Sequence, residues 1–127
     1  MHRYAVALVF GLLGASPILA QDAVVDCENA MTQRDMNICS YEDYMVVDRA
    51  LNDTYTWALA RTEDWGSGTK EALRAAQRTW IAYRDAACNA EGQLHEGGSI
   101  RPLIENTCKA TLTTRRTQDM RATYEPF

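Results

Sequence analysis

The sequence predicts an all-α fold: an antiparallel three-helix bundle with one long first helix, stapled by two disulfides. Three observations carry this. Long stretches without Gly or Pro place apolar residues at three- and four-residue steps, the repeat of one helix face. Gly-rich turn signals separate those stretches. Four Cys, an even number, all lie beyond residue 20.

The central stretch is residues 73–88, LRAAQRTWIAYRDAAC. Leu73, Ala76, Gln77, Trp80, Arg84, Ala87 and Cys88 share a face, with Trp80 in its middle and Cys88 at its end. An apolar face that carries an inward Arg and a terminal Cys calls for partners on other segments.

The chain opens with a segment that reads as a signal peptide, residues 1–20. Arg3 supplies the positive start, residues 5–13 a short apolar run, and Ala20 a small residue before Gln21. The run is shorter than the about 20 residues a membrane span needs, so no stable membrane anchor is expected. The remaining domain is residues 21–127. Loss of Arg3 takes the formal charge from −4 to −5. Nucleic acid binding calls for a basic face and is excluded on that ground; an acidic exported protein suits cationic partners.

Thr32 followed by Asp35 marks a helix start. From there to about Arg61 the chain has no Gly or Pro, and Met36, Cys39, Tyr44, Val47, Leu51, Tyr55 and Ala58 keep a helical period. Ser40 and Asp43 weaken that period and leave room for a bend. The turn Trp65-Gly66-Ser67-Gly68 ends the helix. Thr69 is read as the cap of a second helix running to about Ala90. Residues 91–99, EGQLHEGGS, form a loop by composition. Ser99 is read as the cap of a third helix, with Pro102 in its first turn. Cys108, Leu112, Arg116, Met120 and Tyr124 step along that helix, and Pro126 closes it.

Four Cys fit an oxidising compartment. They admit three connectivities; Cys27–Cys39 and Cys88–Cys108 are favoured. The first ties the lead segment to helix one, and the second closes the loop between helices two and three. Staples matter here because the chain beyond the leader is poor in aliphatic residues, with Phe127 its lone Phe.

No catalytic residues are assigned. Without the leader, His95 is the sole His; it sits in a Gly-rich loop, and each Cys has a better use in a disulfide. The chain is therefore read as a non-enzyme. It has no C-x-x-C and no His pair at helical spacing, so no metal or other cofactor is expected. Asp48, Arg84 and Arg116 fall one per helix on or beside the inner faces. They are read as a structural ion network fixing helix register, the other reading being an anion site. Trp57, off the main stripe, and Trp65, at a loop tip, offer exposed aromatic surface or ordinary end-capping.

Cys27, Thr32-Gln33, Met36-Asn37, Cys39, Asp48, Leu51-Asn52 and Tyr55 together resemble the opening of the LprI-like lysozyme-inhibitor family. The likeness continues through Leu73, Gln77, Trp80, Tyr83-Arg84-Asp85 and Cys88. It closes with Gly97-Gly98-Ser99, Cys108, Leu112-Thr113 and Arg116; Met120 stands where the family more often has Leu. The resemblance implies a small exported bacterial helical protein, periplasmic or secreted, that binds a protein partner such as lysozyme. The expected function is inhibition of lysozyme or a similar cationic hydrolase, with an envelope-assembly module as the alternative. A loop is the element that can enter a concave active site. Glu91, His95, Glu96, Gly97, Gly98 and Ser99 are therefore the expected partner contacts.

Overall fold

The computed structural model describes residues 24–66 and 68–125. Residues 1–23, among them the whole expected leader, and Ser67, Pro126 and Phe127 lie outside the described residues. Among those described the chain is all-helical, and both disulfides pair as favoured, Cys27–Cys39 and Cys88–Cys108.

A 3₁₀ turn, Cys27–Asn29, leads into α1, Gln33–Arg61. The Asp35 amide donates to Thr32 Oγ1 at 3.0 Å, satisfying one of the amides that a helix start leaves unpaired. At 29 residues α1 is the longest helix, and it passes through Ser40 without interruption. A second 3₁₀ turn, Thr62–Trp65, follows it. Gly66 and Gly68 then reverse the chain with φ of 101° and 92°, values that strain any residue with a Cβ.

The next two helices start and stop differently from the sequence reading. α2 is Thr69–Gln93, and its N-cap is Gly68, so Thr69 already lies in the first turn. At the other end α2 takes in residues 91–93, which composition assigns to the loop. The reason lies at Gly92, which is buried because the start of the third helix closes on it. A Cβ there would stand 2.5 Å from Glu105 Cγ and 2.8 Å from Cδ. Gly92 thus serves close helix packing rather than a turn. The third helix, α3, is Arg101–Tyr124 with Ile100 at its N-cap and Pro102 in its first turn. Ser99 contributes its backbone instead of a cap, its carbonyl accepting from Asn37 Nδ2 at 2.9 Å.

Contacts at the two ends give the topology. Asn37 meets Ser99, joining the start of α1 to the start of α3, while Trp65 stacks on Tyr124 at 5.8 Å where both finish. α1 and α3 therefore run the same way, and α2 runs against both. α3 is the packing centre, touching α1 most extensively and α2 next.

The core is small. Leu51, Ala58, Leu73 and Met120 form its buried cluster, ringed by half-buried Tyr55, Trp57, Leu59, Trp80 and Tyr124. Of the row predicted along α2, Leu73, Gln77, Arg84 and Cys88 are buried and Trp80 and Ala87 half-buried, whereas Ala76 is exposed. Ser40, Thr54, Thr62, Gln77 and Thr113 supply polar groups to the interior. Most find partners at once: Thr62 Oγ1 donates to Leu59 O at 2.6 Å and Ser40 Oγ to Asn37 O at 2.9 Å.

Gly92 gives a first test. Glu105 cannot swing aside freely, because Arg101 Nε holds its Oε1 at 2.7 Å. Gly92→Val should cost about 1–3 kcal/mol of stability through overpacking, read by urea denaturation. Glu105→Ala in the same chain should restore much of that loss. A Gly92→Val protein as stable as wild type would show that the helix ends are not tightly closed there.

Candidate functional site

Two places gather the chemistry-bearing residues: the middle of the bundle around Arg84, and the end that carries the loop after α2.

In the middle, Arg84 is only 6% exposed. Its Nη1 donates to Asp48 Oδ1 at 2.9 Å and to Thr113 Oγ1 at 3.3 Å, and its Nε to Asp85 Oδ1 at 2.9 Å. The guanidinium also lies over the rings of Tyr44 and Trp80, at 5.3 Å and 5.4 Å from their centroids. Burial works against the Arg84 charge, but the hydrogen bonds to Asp85 and Asp48 outweigh it and its pKa is raised. Burial likewise pushes the Tyr44 phenol up; Arg84 opposes the rise, and Asp48 and Asp85 add to it.

Arg116 stands apart from this pair. Its Nε donates to Gln77 Oε1 at 3.1 Å, and its guanidinium lies 5.9 Å from the Trp80 centroid. The three residues expected as one network thus divide into the Asp48–Arg84 pair and a separate Arg116–Gln77 contact, with the Trp80 ring close to both guanidiniums. A step of four along α3 leads from Arg116 to Leu112 and passes over Thr113, which is the residue that reaches Arg84. Asp85 was readable as the neighbour of Arg84. Tyr44 belonged to the inner row of α1, but nothing in its spacing marked it as a partner for a cation.

At the loop end, Glu91 is exposed on the last turn of α2. The loop proper, 94–100, winds back on itself: the His95 amide donates to Gly92 O at 2.9 Å, Gly98 to His95 O at 3.0 Å and Arg101 to Gly98 O at 3.2 Å. Gly97 takes a φ of 74°. Arg101 braces this end, reaching Glu105 Oε1 at 2.7 Å, Asn89 Oδ1 at 3.0 Å and Glu96 Oε2 at 3.7 Å. The hydrogen bond to Glu105 raises the Arg101 pKa. Glu96 is thus tethered loosely rather than free, while His95 is half-buried and Gly97, Gly98 and Ser99 are exposed. Leu94, which composition alone does not single out, is 81% exposed at the head of the loop.

Beside this loop a groove of about 320 Å³ opens between α1 and α3. The Cys27–Cys39 bridge, Met36, Leu103 and Ala110 form much of its apolar wall, and Asp43 stands in its lining. Met36, Cys39, Ser40 and Asp43 share a helix face; by periodicity Met36 and Cys39 belong to the core stripe and Ser40 and Asp43 weaken it.

Trp57 is half-buried, lying between Arg61 at 5.4 Å and Arg121 at 4.3 Å from its ring centroid. Trp65 is 46% exposed and its stack on Tyr124 closes the far end of the bundle. Among the described residues no group of three His, Cys, Asp or Glu is placed to hold a metal ion. No helix there is long and apolar enough to cross a membrane.

Comparison with known proteins points one way. The family model described as lysozyme inhibitor LprI matches residues 26–120. An uncharacterized protein of Rhizobium meliloti (strain 1021) is 37% identical over 135 aligned positions, covering 98% of this chain and 97% of that one. The crystal structure of a DUF1311 family protein from Pseudomonas putida KT2440 superposes with a TM-score of 0.69 at 23% identity, over 76% of this chain and 97% of that one. At that identity the superposition speaks for the fold alone.

Proposed function

This chain belongs to the LprI lysozyme-inhibitor family, and from that premise we propose that it is an exported protein, periplasmic or secreted, that binds and blocks lysozyme or a similar cationic hydrolase without being an enzyme itself. Residues 1–20 serve as its signal peptide, and the disulfides suit the compartment it would reach. The net charge of −5 that remains once Arg3 leaves with the leader favours rapid encounter with a basic enzyme.

The observation that carries the reading is the braced loop at the bundle end. It joins two disulfide-linked helices, its turns are hydrogen-bonded, and it exposes Leu94, with Glu91 three residues before and Glu96 two after. A loop already held in shape loses less entropy on binding. An exposed apolar side chain with carboxylates nearby in sequence supplies both an anchor and a complement to a basic cleft. Asp48, Arg84 and Arg116 serve the scaffold rather than the partner in this reading.

Glu91→Ala/Glu96→Ala should leave the fold intact, because Arg101 keeps Glu105 and Asn89. It should weaken lysozyme inhibition about tenfold at low salt and less at high salt, where charge attraction is screened. A lysis assay at several ionic strengths reads this directly. Inhibition that survives at full strength throughout would move the contact surface away from the loop.

A further inference from the structure

We infer that the α1–α3 groove is a second contact on the same surface, a slot for one arginine or lysine side chain projecting from a basic partner protein. This rests on the reading of the chain as a binder of cationic hydrolases, and it says what chemistry that partner must present.

The groove lies at the bundle end where the loop sits, since Asn37, one residue after Met36 of its wall, donates to Ser99 O at the foot of the loop. Its volume, about 320 Å³, is large enough for a long side chain. The wall is apolar along the Cys27–Cys39 bridge, Met36, Leu103 and Ala110, while Asp43 supplies a carboxylate. Glu42 adds a second negative charge nearby, its Oε2 3.5 Å from Cys27 Sγ. Neither Glu42 nor Asp43 has a cation within ion-pair distance among the described residues. Arg34, earlier on α1, lies 3.8 Å from Asp35, and Lys109, on α3, lies over the Tyr44 ring at 5.9 Å.

A wholly apolar occupant would desolvate the Asp43 carboxylate without compensation. A small hydrated cation would leave the apolar wall wet. Lysine and arginine have an apolar stem with a charged head, and such side chains lay the stem along apolar surface and keep the head at its edge. Arginine fits best, because Thr111 Oγ1, which donates to Thr107 O at 2.9 Å, keeps lone pairs to accept from a guanidinium.

The test uses the oxidised protein and two capped tripeptides, Gly-Arg-Gly and its citrulline counterpart, which has the same shape without the charge. In an amide-shift titration the arginine peptide should perturb Met36, Asp43, Leu103 and Ala110, and the citrulline peptide should not. Asp43→Asn should abolish those shifts, and so should Ala110→Leu, which fills the slot; Asp43 is exposed, so its variant is readable even if Ala110→Leu folds poorly. Both variants should also weaken lysozyme binding about tenfold at low salt. Shifts scattered over the acidic surface, or equal for the two peptides, overturn the inference. If lysozyme binds Asp43→Asn as tightly as wild type but loses affinity for Glu91→Ala/Glu96→Ala, the inhibitor reading stands and the slot falls. If the peptide signature is present and lysozyme does not bind at all, the slot stands and lysozyme is removed as its partner.

Discussion

The Cys88→Ser/Cys108→Ser protein melts on the order of 15 °C below wild type. The bridge spans a sequence separation of 20, and the ring it closes contributes about 3 kcal/mol through loss of freedom in the unfolded chain. A domain of this size is held by only about 5–15 kcal/mol in total. The rest of the core has little reserve, since its buried apolar cluster outside the cysteines is Leu51, Ala58, Leu73 and Met120. Cys88 is also fully buried, so a serine there brings a hydroxyl that needs a partner. The Cys27→Ser/Cys39→Ser change should cost less, because Cys27 is exposed and the 3₁₀ turn it anchors contributes no buried residue. Calorimetry on the two variants side by side decides the matter. Equal losses, or a larger one for the outer bridge, would contradict this ranking.

Arg84→Met lowers the free energy of unfolding by about 3 kcal/mol, the low end of the range for breaking a buried ion pair. The low end applies because the side chain of Asp48, the partner left behind, is 25% exposed and can take up water, whereas that of Arg84 is 7% exposed. Asp48→Leu/Arg84→Met should recover most of the loss, since replacing both members of a buried pair by apolar groups removes the unpaired charge. Urea denaturation gives the stabilities, and lysozyme inhibition should follow the folded fraction only. Unchanged stability with inhibition abolished would place Arg84 in a binding site.

Much of the architecture was legible before any coordinates because it rests on local rules. The α1 boundaries follow from the Thr32 cap and a stretch without breakers, and the disulfide pairing agrees with short ring closure. Gly92 shows where local rules fail. Composition reads it as the start of a loop, but helix packing needs its missing Cβ, and that need arises only once α3 is in place. The division of Asp48, Arg84 and Arg116 has the same origin. A helix face can be assigned from spacing, but which of two arginines reaches a carboxylate depends on the rotation of α3 against its neighbours. The groove was hidden because Ser40 and Asp43 count as defects in a core stripe; on an outward-facing seam they become the polar part of a lining.

The two disulfides have a further consequence for how the molecule opens. Cys27–Cys39 lies within the lead and α1, and Cys88–Cys108 lies within the α2–α3 hairpin. No covalent link therefore joins one half to the other except the chain through Gly66 and Gly68. The α1–α3 interface brings together residues 62 and 66 positions apart, as Asn37 with Ser99 and Ser40 with Asn106, by non-covalent contacts alone. α1 can thus leave the hairpin with every bridge intact, and the hairpin of a second copy can receive it. Oxidation stiffens each half, yet exchange of α1 between copies meets no covalent obstacle, so the bridges do not guard this fold against a domain-swapped dimer.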